Sequence, residues 1–263
     1  MHYRGRMQLP RTLAAASRLE WLERAGSTND VLVGRAGSEG ESAWPSLSVV
    51  ATDEQTSGRG RLGRTWTAPA GSALAASVLV RPAIPVEAFG WLPLVAGLAM
   101  TGALEEAGAR AELKWPNDVL IGGRKVCGIL SELLPDLSGA VIGSGVNMGM
   151  TAEQLPVPTA TSLAVEGVEA SVDTVLGGYL ERLRDELDAL SATGGDAETS
   201  GTRLRVERAC GTVGRAVRVL LPDGSEQVGE ATGIDASGRL VVDRGAAGPP
   251  LVVAAGDVTH LRY

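Results

Sequence analysis

The chain has 263 residues, 44% of them hydrophobic and 21% charged, with a formal net charge of −7; it can bury a core in one large domain or two. The acidic balance argues against nucleic-acid binding through the general surface, no apolar run reaches membrane-spanning length, and Met1-His2-Tyr3-Arg4 lacks a secretory apolar region. Cys127 and Cys210 stand far apart, which fits a reducing cytoplasm, and histidine only at positions 2 and 260 argues against Ser-His or Cys-His nucleophiles and histidine-bound metal.

In chain order, residues 1 to about 18 read as a ragged arm and short helix, and Leu19 to Arg24 as a first strand. Ser27 or Thr28 then caps a helix that runs through Arg35. Capping alone would explain Ser27, Thr28 and Asn29. Hydroxyls and an amide at a helix start can also hydrogen-bond a neutral polar ligand. Gly37 to Pro45 reads as a loop, and Leu47 to Thr52 as a buried strand that delivers Gln55 at its C-terminal end.

Gln55-Thr56-Ser57-Gly58-Arg59-Gly60-Arg61-Leu62-Gly63-Arg64-Thr65-Trp66 follows. No acid occurs between Glu54 and Glu87, while Arg59, Arg61, Arg64 and Arg81 make this a local reversal of charge. Glycines let a backbone approach an anion, and arginines present planar forks of donors to phosphate oxygens. The spacing imitates a dinucleotide fingerprint and a Walker A loop. Both need a following helix, and Thr65-Trp66-Thr67-Ala68-Pro69 is poor helix sequence. A solvated basic loop would account for the arginines but not for the spaced glycines and Trp66. The stretch therefore reads as a loop for phosphate or acyl phosphate. Its arginines repel one another when no anion is near, which predicts a mobile lid.

Leu74 to Val80 reads as a strand stopped by Pro82, and Val86 to Ala107 as one long, mostly buried helix. Leu113 to Ile121, a Gly122-Gly123 turn and Lys125 to Leu133 form a hairpin. The chain has 22 arginines but only two lysines, Lys114 and Lys125, both in this hairpin. A compact ammonium suits a position between oxygens where a guanidinium does not fit. With Asn117 and Asp118 they suit a triphosphate and its Mg²⁺; a salt-bridged surface would equally explain Asp118. Cys127 reads as a small core residue.

Ala140 to Met148 is a strand whose glycines mark close approach of backbone or ligand. Leu155 to Thr159 reads as a stiff loop, Val172 to Leu190 as an amphipathic helix with Glu181, Arg182, Arg184, Asp185 and Glu186 on a solvated face, and Ser191 to Thr202 as an exposed connection. Short strands at 216–221, 228–234, 239–242 and 251–254 then signal a small β-barrel. The implied division is a domain over residues 1–205 and a second over 206–263.

Together these motifs resemble the biotin–protein ligases: Ser27-Thr28-Asn29, Gln55, the Gly58–Trp66 loop, Lys114-Trp115-Pro116-Asn117-Asp118, Lys125-Val126-Cys127-Gly128-Ile129-Leu130, Gly143-x-Gly145-x-Asn147 and the small β-domain. The resemblance implies an α/β (α+β) catalytic domain akin to class II aminoacyl-tRNA synthetases, with a mixed sheet and an SH3-like barrel behind it. It implies that biotin carboxylate attacks the α-phosphate of ATP, and that a lysine of a biotin carboxyl carrier domain takes the biotinyl group from biotinyl-AMP. By the same resemblance Ser27, Thr28, Asn29, Gln55, Gly58, Arg59, Gly60, Arg61, Lys125 and Gly128 bind biotin. Arg61, Arg64, Trp66, Lys114, Asn117, Gly145 and Asn147 bind ATP or the adenylate. Lys125, Arg59 and Arg61 are catalytic, and Asn117 and Asp118 hold Mg²⁺. Only 26 residues precede Ser27, so the expectation is a cytoplasmic ligase without a DNA-binding domain, monomeric or weakly dimeric, with no nucleic-acid or membrane partner. A lipoate or octanoate ligase of the same fold, or a non-catalytic biotin-binding regulator, are the alternatives.

Overall fold

The computed structural model describes residues 8–254 and 256–261, so residues 1–7 of the expected N-terminal arm lie outside the described residues. From the N-terminus, α1 (Pro10–Ala15), β1 (Arg18–Trp21), α2 (Thr28–Glu39) and β2 (Ser48–Thr52) lead to a two-stranded ribbon, β3 (Gly58–Arg59) and β4 (Thr65–Trp66). Next come β5 (Ala73–Val80), α3 (Leu92–Glu106), β6 (Ala111–Lys114), β7 (Asp118–Ile121), β8 (Arg124–Leu133), β9 (Ala140–Asn147), α4 (Val172–Ala192) and α5 (Thr202–Ala209). The chain ends in β10 (Ala216–Leu220), β11 (Glu226–Ile234), β12 (Leu240–Asp243), β13 (Leu251–Val253) and β14 (Asp257–His260).

Seven strands form one mixed sheet in the order β1-β2-β5-β9-β8-β7-β6, in which β1 and β2 are parallel and the other pairs antiparallel. All eight residues of β5 are buried, as expected for a strand covered on both faces. Leu74, Ala76, Val78 and Val80 face the core with α3 and α4, while Leu79 joins Leu32, Val50, Leu134 and Val141 under α2. Five strands form a second, antiparallel sheet in the order β13-β12-β11-β10-β14. Val217, Val219, Leu240 and Val242 of this sheet belong to the same buried core as Leu113, Trp115 and Leu94. The junction is stitched by Trp91 and Trp115, whose Nε1 groups donate to Ala236 O and Gly238 O at 3.0 Å each.

Several expectations change here. α2 extends past Arg35 to Glu39. The long helix from Val86 is a 3-10 turn, Val86–Trp91, followed by α3, which restarts with Pro93 in its first turn, where a missing N–H costs nothing. Val86–Glu106 is long and apolar enough to cross a bilayer, but it is largely buried against the sheet and α4. The run from Leu113 to Ile121 is two strands, folded back at Trp115-Pro116-Asn117 across a cis peptide bond. The charged face of α4 is paired at the surface: Glu181 takes Arg11 at 2.6 Å, Arg182 takes Glu106 at 2.8 Å, and Arg184 donates to Ala15 O, while Asp185 stays exposed. The connection after α4 contains α5, which crosses the expected boundary at 205/206.

Candidate active site

One cleft lies on the α2 face of the main sheet, beyond the N-terminus of that helix. Its volume is about 850 Å³, counting the part open to solvent. Small residues create it: Ala75 on β5, Gly143 and Gly145 on β9 and Gly128 on β8 line it where α2 no longer covers the strands.

At one end the groups are neutral, with Ser27, Thr28, Asn29 and Ser77 buried and Gln55 half-buried. A parallel bridge between Ala25 and Gln55 sets Gln55 beside the start of α2, helped by Thr56 N donating to Ala25 O at 2.9 Å. Gln55 Oε1 accepts from Thr28 N at 2.9 Å and from Thr28 Oγ1 at 3.2 Å. The Ser77 hydroxyl stands between Thr28 Oγ1 at 2.7 Å and Asn29 Oδ1 at 2.6 Å. Asn29 Nδ2 in turn donates to Leu130 O at 3.2 Å and Glu132 Oε2 at 2.6 Å. Such a connected chain holds each member in one orientation. It leaves the two Nε2 hydrogens of Gln55 without an acceptor among the described residues, pointing to a ligand acceptor such as a urea or amide oxygen.

The other end is charged. Lys125 Nζ pairs with Asp118 Oδ1 at 2.6 Å. Strict alternation along β8 would place Lys125 on the core face with Cys127. A bulge between β7 and β8, where Val119 pairs with Cys127 but Leu120 with Lys125, turns it into the cleft. Gly128 leaves room for it: a Cβ there would stand 2.8 Å from Lys125 Nζ. The backbone of Lys125 is clamped by Thr159 O and Thr161 N at 2.8 Å each, so the stiff 155–159 loop serves as its brace. Burial pushes the Lys114 ammonium down from its ordinary pKa; Asp118 and Asp257 partly offset this, while Lys125 and Arg64 add to it. Burial likewise lowers Arg61. Both are cations held where an added anion would be welcome.

The glycine-arginine segment is followed by β4 and not by a helix. Its three arginines all have partners, which offset part of the repulsion on which a mobile lid was expected, although Arg64 still acts against Arg61. Arg59 Nη2 donates to Glu132 at 3.0 Å and to Asp30. Arg61 donates to Asn117 Oδ1 at 3.1 Å and to Gly256 O at 3.4 Å, and Arg64 pairs with Asp257. The second domain thus reaches into the cleft.

The cleft gathers Ser27, Thr28, Asn29, Gln55, Arg59, Gly60, Arg61, Arg64, Trp66, Asn117, Asp118, Lys125, Gly128 and Gly145. Three expected residues do not line it. Gly58 lies beneath, where a Cβ would collide with Gln55 Nε2 and Trp66 O. Lys114 stands at the charged end, behind Asp118. Asn147 is buried and spends its Nδ2 on Thr161 O at 2.8 Å, so it braces the 159–163 segment and is turned from the cleft. Asn117 is also committed at both ends, its Oδ1 accepting from Arg61 and its Nδ2 donating to Ile129 O at 2.6 Å. Among the described residues no three of His, Cys, Asp and Glu form a metal-holding group. Ser77, Asp30, Glu132 and Asp257 join the site without having been singled out in the sequence. The site glycines also act differently from expectation. Gly143 makes room for Asn29, and a Cβ on Gly145 would lie 2.7 Å from the Trp66 ring, so they seat side chains.

Comparison with known proteins bears on this geometry. Residues 21–147 match the Biotin/lipoate A/B protein ligase family and residues 212–261 the Biotin protein ligase C terminal domain. Over 249 residues, 93% of this chain and 89% of the relative, the sequence is 40% identical to the biotin–[acetyl-CoA-carboxylase] ligase of Mycobacterium tuberculosis. The chain belongs to the biotin protein ligase family. The ligase is also 32% identical over 225 residues to the bifunctional ligase/repressor BirA of Escherichia coli, covering 83% of this chain and 67% of that one. Its fold superposes on the Aquifex aeolicus biotin protein ligase solved with biotin and ATP with a TM-score of 0.73 at 26% identity, covering 94% of this chain and 100% of the other.

Proposed function

We propose that this ligase activates biotin with ATP as biotinyl-AMP and transfers the biotinyl group to a lysine of a biotin carboxyl carrier domain. The observation that carries the reading is the juxtaposition, in one cleft, of a neutral hydrogen-bond chain (Gln55, Thr28, Ser77, Asn29) with four cations from the loop and hairpin (Arg59, Arg61, Arg64, Lys125). The neutral end suits a ureido ring, which offers both donors and acceptors. The charged end suits a carboxylate and a phosphate meeting at a short distance.

In the first step a carboxylate oxygen forms a bond to the α-phosphorus, and the bond from that phosphorus to the leaving oxygen breaks, its electron pair going to pyrophosphate. Lys125 would lie between the carboxylate and the α-phosphate, where a preorganised cation offsets their repulsion and the charge building on the phosphoryl oxygens, and so stabilises the transition state. Arg61, Arg64 and Lys114 would hold phosphate oxygens, and Trp66 on its Gly145 seat would receive the adenine. Mg²⁺ bound with the phosphates would supply charge neutralisation, with the second oxygen of Asp118 as its protein ligand, while Asn117 acts by fixing Arg61 to β8. In the second step the acceptor's lysine amine bonds to the acyl carbon, the bond from that carbon to the phosphate oxygen breaks, AMP leaves with the electron pair and the amine gives up a proton. The nucleophile comes from the acceptor, which fits a cleft with no nucleophile–base pair.

The test is ATP–pyrophosphate exchange with biotin, lipoate and octanoate in parallel. Exchange dependent on biotin is expected. Exchange with lipoate or octanoate but not biotin would assign the cleft to the lipoate branch of the matched family, and no exchange with any of them would leave a binding protein.

A further inference from the structure

Arg59 carries two carboxylates on one nitrogen: both Nη2 hydrogens are used, by Glu132 Oε2 at 3.0 Å and by Asp30 Oδ1. The two acids are not equivalent. Glu132 is 28% exposed, and the same Oε2 accepts from Asn29 Nδ2 at 2.6 Å, so the neutral hydrogen-bond chain holds it in place. Asp30 is 63% exposed and sits in the first turn of α2, where the helix N-terminus already favours an acid. That position explains the acid, but not its reach across to Arg59.

We propose that Asp30 is a displaceable carboxylate that competes with the substrate carboxylate for Arg59 and so keeps the nucleophile loosely held. The inference rests on the biotin-activating reading above. A guanidinium flanked by two carboxylates presents a net negative neighbourhood to a third, and of the two Asp30 is the one free to swing into solvent. The competition has a kinetic use. The substrate carboxylate is an anion before the reaction and part of a mixed anhydride after it. An arginine bound tightly to it would stabilise the ground state more than the transition state and slow the step. Asp30 returns to Arg59 as the substrate charge is consumed.

Asp30→Asn should therefore lower KM for biotin and kcat together, each about 2- to 5-fold, the scale of an exposed ion pair. The ratio kcat/KM should stay within about 2-fold. The dissociation constant for biotin should fall, while that for biotinamide, which has no carboxylate, stays as in the wild type. Asp30→Ser repeats the test with a residue suited to the first turn of a helix. Glu54→Gln removes a nearby carboxylate that pairs with Arg24 at 2.5 Å and not with Arg59, and should leave both ligands unaffected. A rise in biotin KM would overturn the proposal, because Asp30 would then hold Arg59 in its productive place. Equal shifts for biotin and biotinamide would overturn it in favour of an effect on pocket shape, and the same gain in Glu54→Gln in favour of overall charge. If the wild type bound neither ligand and gave no biotin-dependent exchange, the functional reading itself would fall, and this inference with it.

Discussion

The two ends of the cleft are built on different principles. The neutral end is assembled from the cap of α2 and the middle of β5, buried, with its members oriented by one another. The charged end is assembled from a ribbon, a hairpin turn and the first residue of β14, and its Arg59, Arg64 and Lys125 remain half exposed. Neutral donors and acceptors cost free energy unless they are satisfied, so they can be buried only in a finished network. Charges must stay near water until a counter-charge arrives. One end is therefore specified by the fold, and the other by pairs that a ligand can exchange.

The most severe way to break the charged end is Lys125→Ala. Biotin-dependent pyrophosphate exchange should fall about 100-fold or more, with the thermal midpoint nearly unchanged. Near-normal exchange would remove Lys125 from the proposed chemistry. A matched pair of substitutions on β9 separates the ends. Gly143→Ala would press on the Asn29 carboxamide and Gly145→Ala on the Trp66 ring. Overpacking of this kind costs about 1–3 kcal/mol, so the first should weaken biotin and the second ATP by roughly 5- to 100-fold. Titrations in which either substitution weakened both ligands alike would mean that the cleft acts as one unit. Arg61→Gly should speed loss of the adenylate about 10-fold while biotin affinity changes less than about 2-fold, since a charge-assisted bond to phosphate is at stake. Adenylate release can be followed by biotinylation of a bystander protein such as albumin; a collapse of biotin affinity alone would place Arg61 at the acyl end.

The smallest expected effect concerns the domain junction behind the charged end. Thr212 Oγ1 accepts from Trp115 N at 3.1 Å and lies 3.0 Å from His260 Nε2. Burial, with Arg215 and Lys114 adding repulsion, pushes the His260 pKa down to about 4 from an ordinary 6.5. The unfolded chain takes up the proton first, so stability is full above about pH 6.5 and is lost as pH falls toward 4. His260→Asn should flatten the change in Tm between pH 7 and pH 5 by a few degrees. An unaltered pH slope would show that other groups carry it.

Much of the neutral end was legible because its signals are local, a serine cap and an amide after a strand, and a glycine-arginine run in an otherwise acidic chain marked the charged end in the same way. What the sequence hid depends on distance or on register. Asp257 meets Arg64 across 193 positions, and nothing near Asp257 marks it. The face of Lys125 is set by one bulge, which the alternation of Lys125 to Leu130 does not announce. Asn147 has the same spacing from Gly145 as Gly145 has from Gly143, yet an acceptor 14 residues away claims its side chain. α5 was missed because Thr202-Arg203-Leu204-Arg205 continues a polar connection, and its apolar side is short, with Val206 buried and Ala209 packed against the core.

The tryptophans give the molecule its own optical probes. Of the five, Trp66 lies in the cleft on Gly145, Trp91 and Trp115 are buried at the domain junction with their Nε1 groups on the turn at Ala236–Gly238, and Trp44 is buried under α2. A change confined to the cleft alters the surroundings of Trp66 alone, whereas separation of the two sheets would bring water to both junction indoles together. Trp66→Phe thus leaves the emission of Trp21, Trp44 and the junction pair, and the difference from the wild type isolates the cleft.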